Sequence, residues 1–201
     1  MKGNSLNKNV DMKAEVKKRF AMVHELKLDC ARQQKKGLHF ILTSIVIWTL
    51  IFVVQLLPLS LPVKNALTFC ASIPLCPMAY GISKLIKVDF QGKDNPLTSL
   101  GILFTVNQMI YLLIAMWVFS AVPGKLVMVY AMIFGAHLLP YGWLYLSKSY
   151  YVFAGVIPVL ALIIGLYYPA TAVAGVMIFV EVVFCVCLMT EVQRLDEKNE
   201  A

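Results

Sequence analysis

Charged side chains are scarce in this sequence. Asp, Glu, Lys and Arg make up 14% of its 201 residues, whereas hydrophobic residues make up 60%. A soluble domain has about 25% charged and about 45–50% apolar residues. The shortage of charge therefore argues against an ordinary soluble domain and indicates a chain surrounded mainly by lipid.

Motifs of the common enzyme classes are absent as well. The sequence has no Walker A phosphate loop, no HExxH zinc motif and no GxSxG turn in a usable setting. The polar connections between its apolar blocks are short, and residues 87–96 form the longest of them. An enzyme is thus not expected. Of the three functions that the sequence allows, an intramembrane enzyme acting on lipid is the least favoured.

Cysteines in predicted external loops are missing too. Four of the five lie in apolar blocks (Cys70, Cys76, Cys185 and Cys187), and Cys30 lies in the basic N-terminal segment. This pattern predicts no disulfide framework, no metal site and no cofactor. A cleavable signal peptide is not expected either, because the first apolar block begins near residue 38 and is too long for a signal core.

Long apolar blocks are what the sequence has in abundance. Each is close to the ~20 residues that cross ~30 Å of hydrocarbon as a helix. Backbone amides in lipid need internal partners, and a period of two is lacking, so the blocks are predicted to be helices rather than barrel strands. We expect an all-α polytopic transmembrane bundle of six helices over 38–190, between an N-terminal segment, 1–37, and a C-terminal tail, 191–201. The blocks are 38–57, 64–86, 97–119, 125–146, 150–167 and 170–190.

Lys and Arg are distributed asymmetrically about these blocks. If the N-terminus is cytoplasmic, 16 of the 18 lie in cytoplasmic segments and only Lys64 and Lys125 lie on the other side. This is the positive-inside pattern of membrane proteins. It predicts an even number of spans with both termini in the cytoplasm.

The basic N-terminal segment holds ten of the 18 Lys and Arg. Val16, Phe20, Val23 and Cys30 recur in it at helical spacing, which predicts a short amphipathic helix on the membrane surface. A partly disordered tail is the alternative, and the start of translation at Met1 or Met22 is open. Because the charge adjoins the first apolar block, anionic lipid headgroups are the expected partner rather than nucleic acid.

Glu181 is the sharpest candidate for a functional group. It lies near the middle of the sixth block, roughly 14 to 18 Å from either surface. An ionised carboxylate at that depth costs at least ~2.5 kcal/mol. The functional interpretation is a proton or cation site, and the structural alternative is a neutral acid hydrogen-bonded to another helix.

Other polar groups share that depth. His137 lies mid-way along the fourth block, on an aromatic stripe with Tyr141, and Asn107 and Gln108 lie mid-way along the third. Asn107, His137 and Glu181 would form a buried cluster if they converge. The alternative for each is an ordinary contact that fastens helices together.

Prolines within the blocks predict kinks. Pro74 and Pro77 flank Cys76 in the second block, and Pro140 follows His137 by three residues in the fourth. Proline removes a backbone donor and frees carbonyls, which transporters use in interrupted ion-binding helices. A kink tolerated by packing is the alternative.

Four stretches carry a resemblance: RQQKKGLHFIL, KVDFQGKDNPL, NQMIYLLIAMWVF and FGAHLLPYGWLY. Here the chain resembles a small family of uncharacterised bacterial multi-pass membrane proteins, from about Met22 to the sixth helix. The resemblance implies an inner (cell) membrane setting and no activity.

Two functions remain in view from the sequence. The first is a small proton- or ion-coupled transporter in which Glu181 and His137 bind the proton or a small solute. The second is a non-catalytic membrane partner or sensor subunit whose basic segment contacts lipid or a soluble protein. The oligomeric state is left open.

Overall fold

The protein is all-α in a computed structural model that describes the backbone of residues 3–88 and 95–200. Side chains are described for 12–88 and 95–197. Most of the predicted loop 87–96, including Lys93, therefore lies outside the described residues. The helices are α1 Gly3–Gln33, α2 Leu38–Leu56, α3 Leu61–Ser72, α4 Leu75–Leu85, α5 Pro96–Ala121, α6 Leu126–His137, α7 Leu139–Leu144, α8 Lys148–Tyr167 and α9 Ala170–Glu200.

Short polar residues and prolines set the helix boundaries. The Asn95 side chain accepts a hydrogen bond from the Leu97 amide at 2.9 Å, and Pro96 follows it as the first residue of α5. The Ser147 hydroxyl accepts from the Tyr150 amide at 3.4 Å and caps α8 in the same way. These caps satisfy amide donors that a helix start leaves open.

Five helical segments are long and apolar enough to cross a membrane: Lys35–Leu56, Pro96–Ala121, Pro123–Leu144, Lys148–Tyr167 and Ala170–Glu197. The α3–α4 pair passes the same test jointly but is bent by 40°, so it is either a sixth, broken span or a re-entrant loop. The expected fold class is thus confirmed as all-α with apolar helices of membrane length. The count of six depends on this pair.

The proline-rich blocks are interrupted rather than simply kinked. The second block is two helices, with Pro74 in the break and Pro77 in the first turn of α4. The fourth block breaks between His137 and Leu139, with Pro140 at the start of α7. Each proline lacks the amide that a continuous helix would use, so the helix restarts there.

The centre of the bundle is built by α2, α6, α8 and α9, whereas α5 lies at its edge. Trp48, Ile157 and Phe184 are among the large side chains that are fully buried there. Helices α6 and α8 approach so closely that a Cβ on Gly135 would lie 2.6 Å from Pro158 Cδ. Small residues at such crossings let the two helix backbones approach closely, and the resulting van der Waals packing holds helices together in lipid, where the hydrophobic effect does not.

The outer surface of the bundle is apolar. Leu113, Trp117 and Phe179 are 63%, 66% and 70% exposed, and many more large apolar side chains face outward on α5, α8 and α9. A water-soluble monomer rarely exposes contiguous apolar area on this scale. The exterior therefore fits contact with lipid.

Helix α1 packs on one end of the bundle, called here the α1 end, where α4 ends, α5 begins and the α7–α8 turn lies. The Asn95 side chain donates to Leu26 O at 2.8 Å and to Asp29 at 2.9 Å, and Lys27 Nζ lies 3.2 Å from the centroid of the Trp143 ring. By contrast, residues 12–25 are exposed on every side. The helix is thus longer than the sequence predicts, and its amphipathic contact with a membrane stays a prediction.

Lys36 and Glu191 form a buried ion pair at the α1 end. Lys36 Nζ lies 2.8 Å from Glu191 Oε2, and the two side chains are 5% and 18% exposed. The other carboxylate oxygen accepts from the amide and hydroxyl of Ser149 at 2.9 and 2.8 Å. The pair therefore joins the start of α2, the start of α8 and the last third of α9, which continues as a helix to Glu200.

Candidate functional site

The Glu181 side chain is enclosed where α2 and α9 pack together. It is 0% exposed, and its Oε2 atom lies 2.5 Å from Ser44 Oγ. Its Oε1 atom has no hydrogen-bond partner among the described residues. A charged carboxylate with so little compensation in an apolar interior is strongly disfavoured.

The geometry around Ser44 indicates which group carries the proton. Ser44 Oγ lies 2.7 Å from Ile41 O and 2.5 Å from Glu181 Oε2. A hydroxyl has one proton, and the carbonyl oxygen can only accept. If Ser44 donates to Ile41, the Glu181 carboxyl must donate to Ser44, which requires the neutral acid. This arrangement gives Ser44 Oγ, Ile41 O and Glu181 Oε2 a partner each, and Glu181 Oε1 is then the uncharged carbonyl oxygen of the acid.

A cavity of about 70 Å³, whose mainly apolar wall carries several polar groups, lies on the other side of Ser44, between α2, the α3–α4 break, α5, α6 and α7. Since a cavity needs only about 10–15 Å³ to hold one water molecule, it has room for a few waters or a small ion. Its polar lining residues are Ser44, Ser72, Thr105, Gln108, Tyr130, His137, Tyr141, Tyr145 and Tyr150. Ser44 is therefore the link between the buried acid and the cavity.

His137 lines this cavity and is half-buried. Its Nδ1 atom hydrogen-bonds to Phe134 O. Because a carbonyl oxygen only accepts, Nδ1 must carry a proton, and in the neutral ring Nε2 is then the acceptor nitrogen. The imidazole can thus accept a hydrogen bond at Nε2 without losing its backbone contact.

Tyr141 and Gln108 also line the cavity, as does Thr105, which the sequence analysis did not single out. The Tyr141 hydroxyl lies 2.8 Å from Thr105 Oγ1 and 3.2 Å from Gly101 O. The Tyr130 hydroxyl is hydrogen-bonded to Ser72. Hydroxyl groups that donate and accept can pass a proton along such contacts.

The predicted three-residue cluster is not what the described contacts show. Asn107 is exposed on the outer face of α5, where it donates to Tyr111 Oη at 3.0 Å, and its neighbour Gln108 faces the cavity instead. No described hydrogen bond joins Glu181 to His137. The two groups lie on different sides of Ser44, with His137 in the cavity wall and Glu181 behind it.

Ser44 was missed by sequence reasoning, and so was the Lys36–Glu191 pair. A serine within an apolar helix is common and carries no signal of its own. Glu181 could be singled out from the sequence because a carboxyl group is unusual in the middle of an apolar block. Its position along the block does not show which neighbouring helix its side chain faces. Of the described residues, no group of three or more His, Cys, Asp or Glu could hold a metal ion.

The long apolar helices and the apolar exterior are together consistent with an α-helical membrane protein. The chain belongs to a family of unknown function (DUF7010), which matches residues 23–191. The expectation of an uncharacterised family is thereby confirmed. Searches among curated proteins and among solved structures found no match.

Proposed function

We propose that this protein is a six-span membrane protein that carries protons, or a small ion coupled to protons, through a site formed by Glu181, Ser44 and His137. Both termini are cytoplasmic in this proposal, the α1 end faces the cytoplasm, and the setting is the inner membrane of a bacterium. The basic residues of α1 contact anionic lipid headgroups. The observation that carries the proposal is a fully buried acid joined by one hydroxyl to a cavity whose wall holds further hydroxyl groups and His137.

The size of the cavity narrows what it accepts. About 70 Å³ is well below the ~300–1,000 Å³ of a typical small-molecule site. Water, a hydrated proton or a small cation fits, and an organic solute does not. Pro74 and Pro140 lie in the helix breaks that border the cavity, so widening would involve movement of α4 or α7.

A flux assay tests the proposal. The protein is reconstituted into liposomes containing a pH-sensitive dye, and a potassium gradient with valinomycin drives proton entry. Wild type should acidify the lumen faster than protein-free liposomes. Glu181→Gln should lose most of this flux, because the amide cannot take up or release a proton, and Ser44→Ala should slow it by breaking the link to the cavity.

Two control variants make the same chemical changes outside the site. Glu197→Gln alters an exposed carboxylate on the same helix α9, and Thr49→Val removes an exposed hydroxyl from the same helix α2, where it donates to Ile45 O. Both should carry wild-type flux. Full flux in Glu181→Gln, or no flux in wild type, would end the transporter proposal.

A second candidate is a non-catalytic partner or sensor subunit. It is favoured by the exposure of Val16, Phe20 and Val23 among the lysines of α1, which leaves that half of the helix free for a lipid surface or a protein. In this case Glu181 only fastens α9 to α2, Glu181→Gln leaves stability unchanged or raised, and no proton flux is seen. An enzyme acting on lipid is third, and no described contact favours it.

A further inference from the structure

A second, larger cavity lies nearer the α1 end. It measures about 490 Å³ and is bordered by α1, α2, α4, α5 and α7. This volume falls in the range of small-molecule sites, unlike that of the cavity beside Ser44. Its lining residues are Cys30, Gln34, Phe40, Cys76, Thr98, Gly101, Ile102, Thr105, Tyr141, Leu144 and Tyr145.

The walls of this cavity are mainly apolar. Phe40, Ile102 and Leu144 contribute hydrocarbon, and Cys30 contributes a thiol that stays neutral, since burial raises its pKa to about 11. Water in a cavity needs two to four polar partners for each molecule. A space of this volume with few such partners is better filled by an apolar chain than by water.

The cavity opens sideways between α4 and α5. These helices make few direct contacts with each other, since α4 packs on α2 and α5 packs on α6. Cys76 on α4 and Ile102 on α5 both line the cavity and are exposed on the outside of the bundle. Lipid is the material that surrounds an apolar exterior, so an acyl chain lies next to this opening.

Positive charge surrounds the mouth at the α1 end. Lys84 and Lys87 are exposed at the end of α4, and Lys35 Nζ donates to Ile86 O beside them at 2.8 Å. The Asp29 carboxylate also lies at the α1 end, where it accepts a hydrogen bond from Asn95 Nδ2 at 2.9 Å, so the lysines outnumber it. A cationic rim above an apolar slot matches a lipid with a negative headgroup rather than a neutral one.

We propose that the cavity between α4 and α5 binds an acyl chain of an anionic phospholipid, with the headgroup held by the rim lysines Lys84 and Lys87. The inference depends on the proposed function only in assigning this end to the cytoplasmic leaflet. Proton flux plays no part in it, so the two proposals can fail separately.

Lipid retention after extraction tests this site. The protein is reconstituted into vesicles of equal phosphatidylglycerol and phosphatidylcholine, extracted again in detergent and analysed by native mass spectrometry. Wild type should retain about one phosphatidylglycerol per chain and little phosphatidylcholine. Gly101→Leu should retain at least fivefold less, because the new side chain occupies the cavity.

The control is Gly155→Leu, where a Cβ would meet nothing within 4 Å, and it should retain lipid as wild type does. At Gly101 a Cβ would lie at an ordinary 3.4 Å from Leu144, so the variant should fold. If it does not, the rim variant Lys84→Gln/Lys87→Gln provides the test and should lose the preference for phosphatidylglycerol. Equal retention of both lipids by wild type, retention of detergent alone, or unchanged retention in both cavity and rim variants would overturn the proposal.

Discussion

Replacing Lys36 by methionine should destabilise the protein by about 3–5 kcal/mol, because it leaves the Glu191 carboxylate partly buried without its cation. The lower end of that range is expected, since Glu191 is 18% exposed and keeps its contacts with Ser149. The free energy of unfolding would be measured in mixed micelles of increasing dodecyl sulfate fraction. The effect should be large because the pair joins three helices of the bundle.

Two further variants separate the ion pair from a loss of packing. Lys36→Met/Glu191→Gln removes both charges but keeps an oxygen that accepts from Ser149, so it should recover most of the lost stability. Arg19→Met breaks the exposed Arg19–Glu15 pair, whose side chains are 73% and 63% exposed, and should change nothing measurable. Wild-type stability in Lys36→Met would show that the pair does not hold the α1 end together.

Replacing Gly135 by alanine should cost about 1–3 kcal/mol through overpacking. A Cβ there would lie 2.6 Å from Pro158 Cδ and 2.8 Å from Ile157 Cβ, and both atoms belong to stiff parts of α8. The two helices must therefore move apart, which disturbs the wall that carries His137. Thermal unfolding in detergent, followed by the loss of the monodisperse peak in size-exclusion chromatography, measures the effect.

Alanine substitutions at two other glycines provide comparisons for the stability of Gly135→Ala. A Cβ on Gly165 would collide with Met128 Cγ, which a rotamer change can move, and would lie 2.5 Å from Met128 Cβ, which it cannot move, so Gly165→Ala should cost at least as much as Gly135→Ala. Gly155→Ala meets open space and should be neutral or stabilising. If all three variants unfold at the same temperature, close packing of α6 on α8 does not limit stability.

The sequence predicts the helix ends most accurately where a charged residue or a proline lies at the boundary. The block 38–57 is found as Leu38–Leu56, and the block 97–119 as Pro96–Ala121. Apolar length fixes such spans because hydrocarbon thickness is nearly constant. The same reasoning could not foresee that α9 continues to Glu200, since a helix persists past the membrane while hydropathy does not.

The site was only partly predictable, for a reason that Asn107 and Gln108 make plain. Both lie at the same depth, yet only Gln108 lines the cavity, because which face of α5 points inward depends on helices far away in the sequence. Ser44 and Glu181 are 137 residues apart, and Lys36 and Glu191 are 155 apart. Depth follows from counting along one helix, whereas pairing depends on how the helices pack.

The bent α3–α4 pair decides the topology, and reporters fused to the two termini can read it out. A fluorescent protein that matures only in the cytoplasm and a phosphatase that is active only outside it would be placed on each end in turn. Six spans predict cytoplasmic signals from both termini. Signals from opposite faces would mean that α3 and α4 form a re-entrant loop and that only five helices cross, which would contradict the proposed orientation of the cavity and its acid.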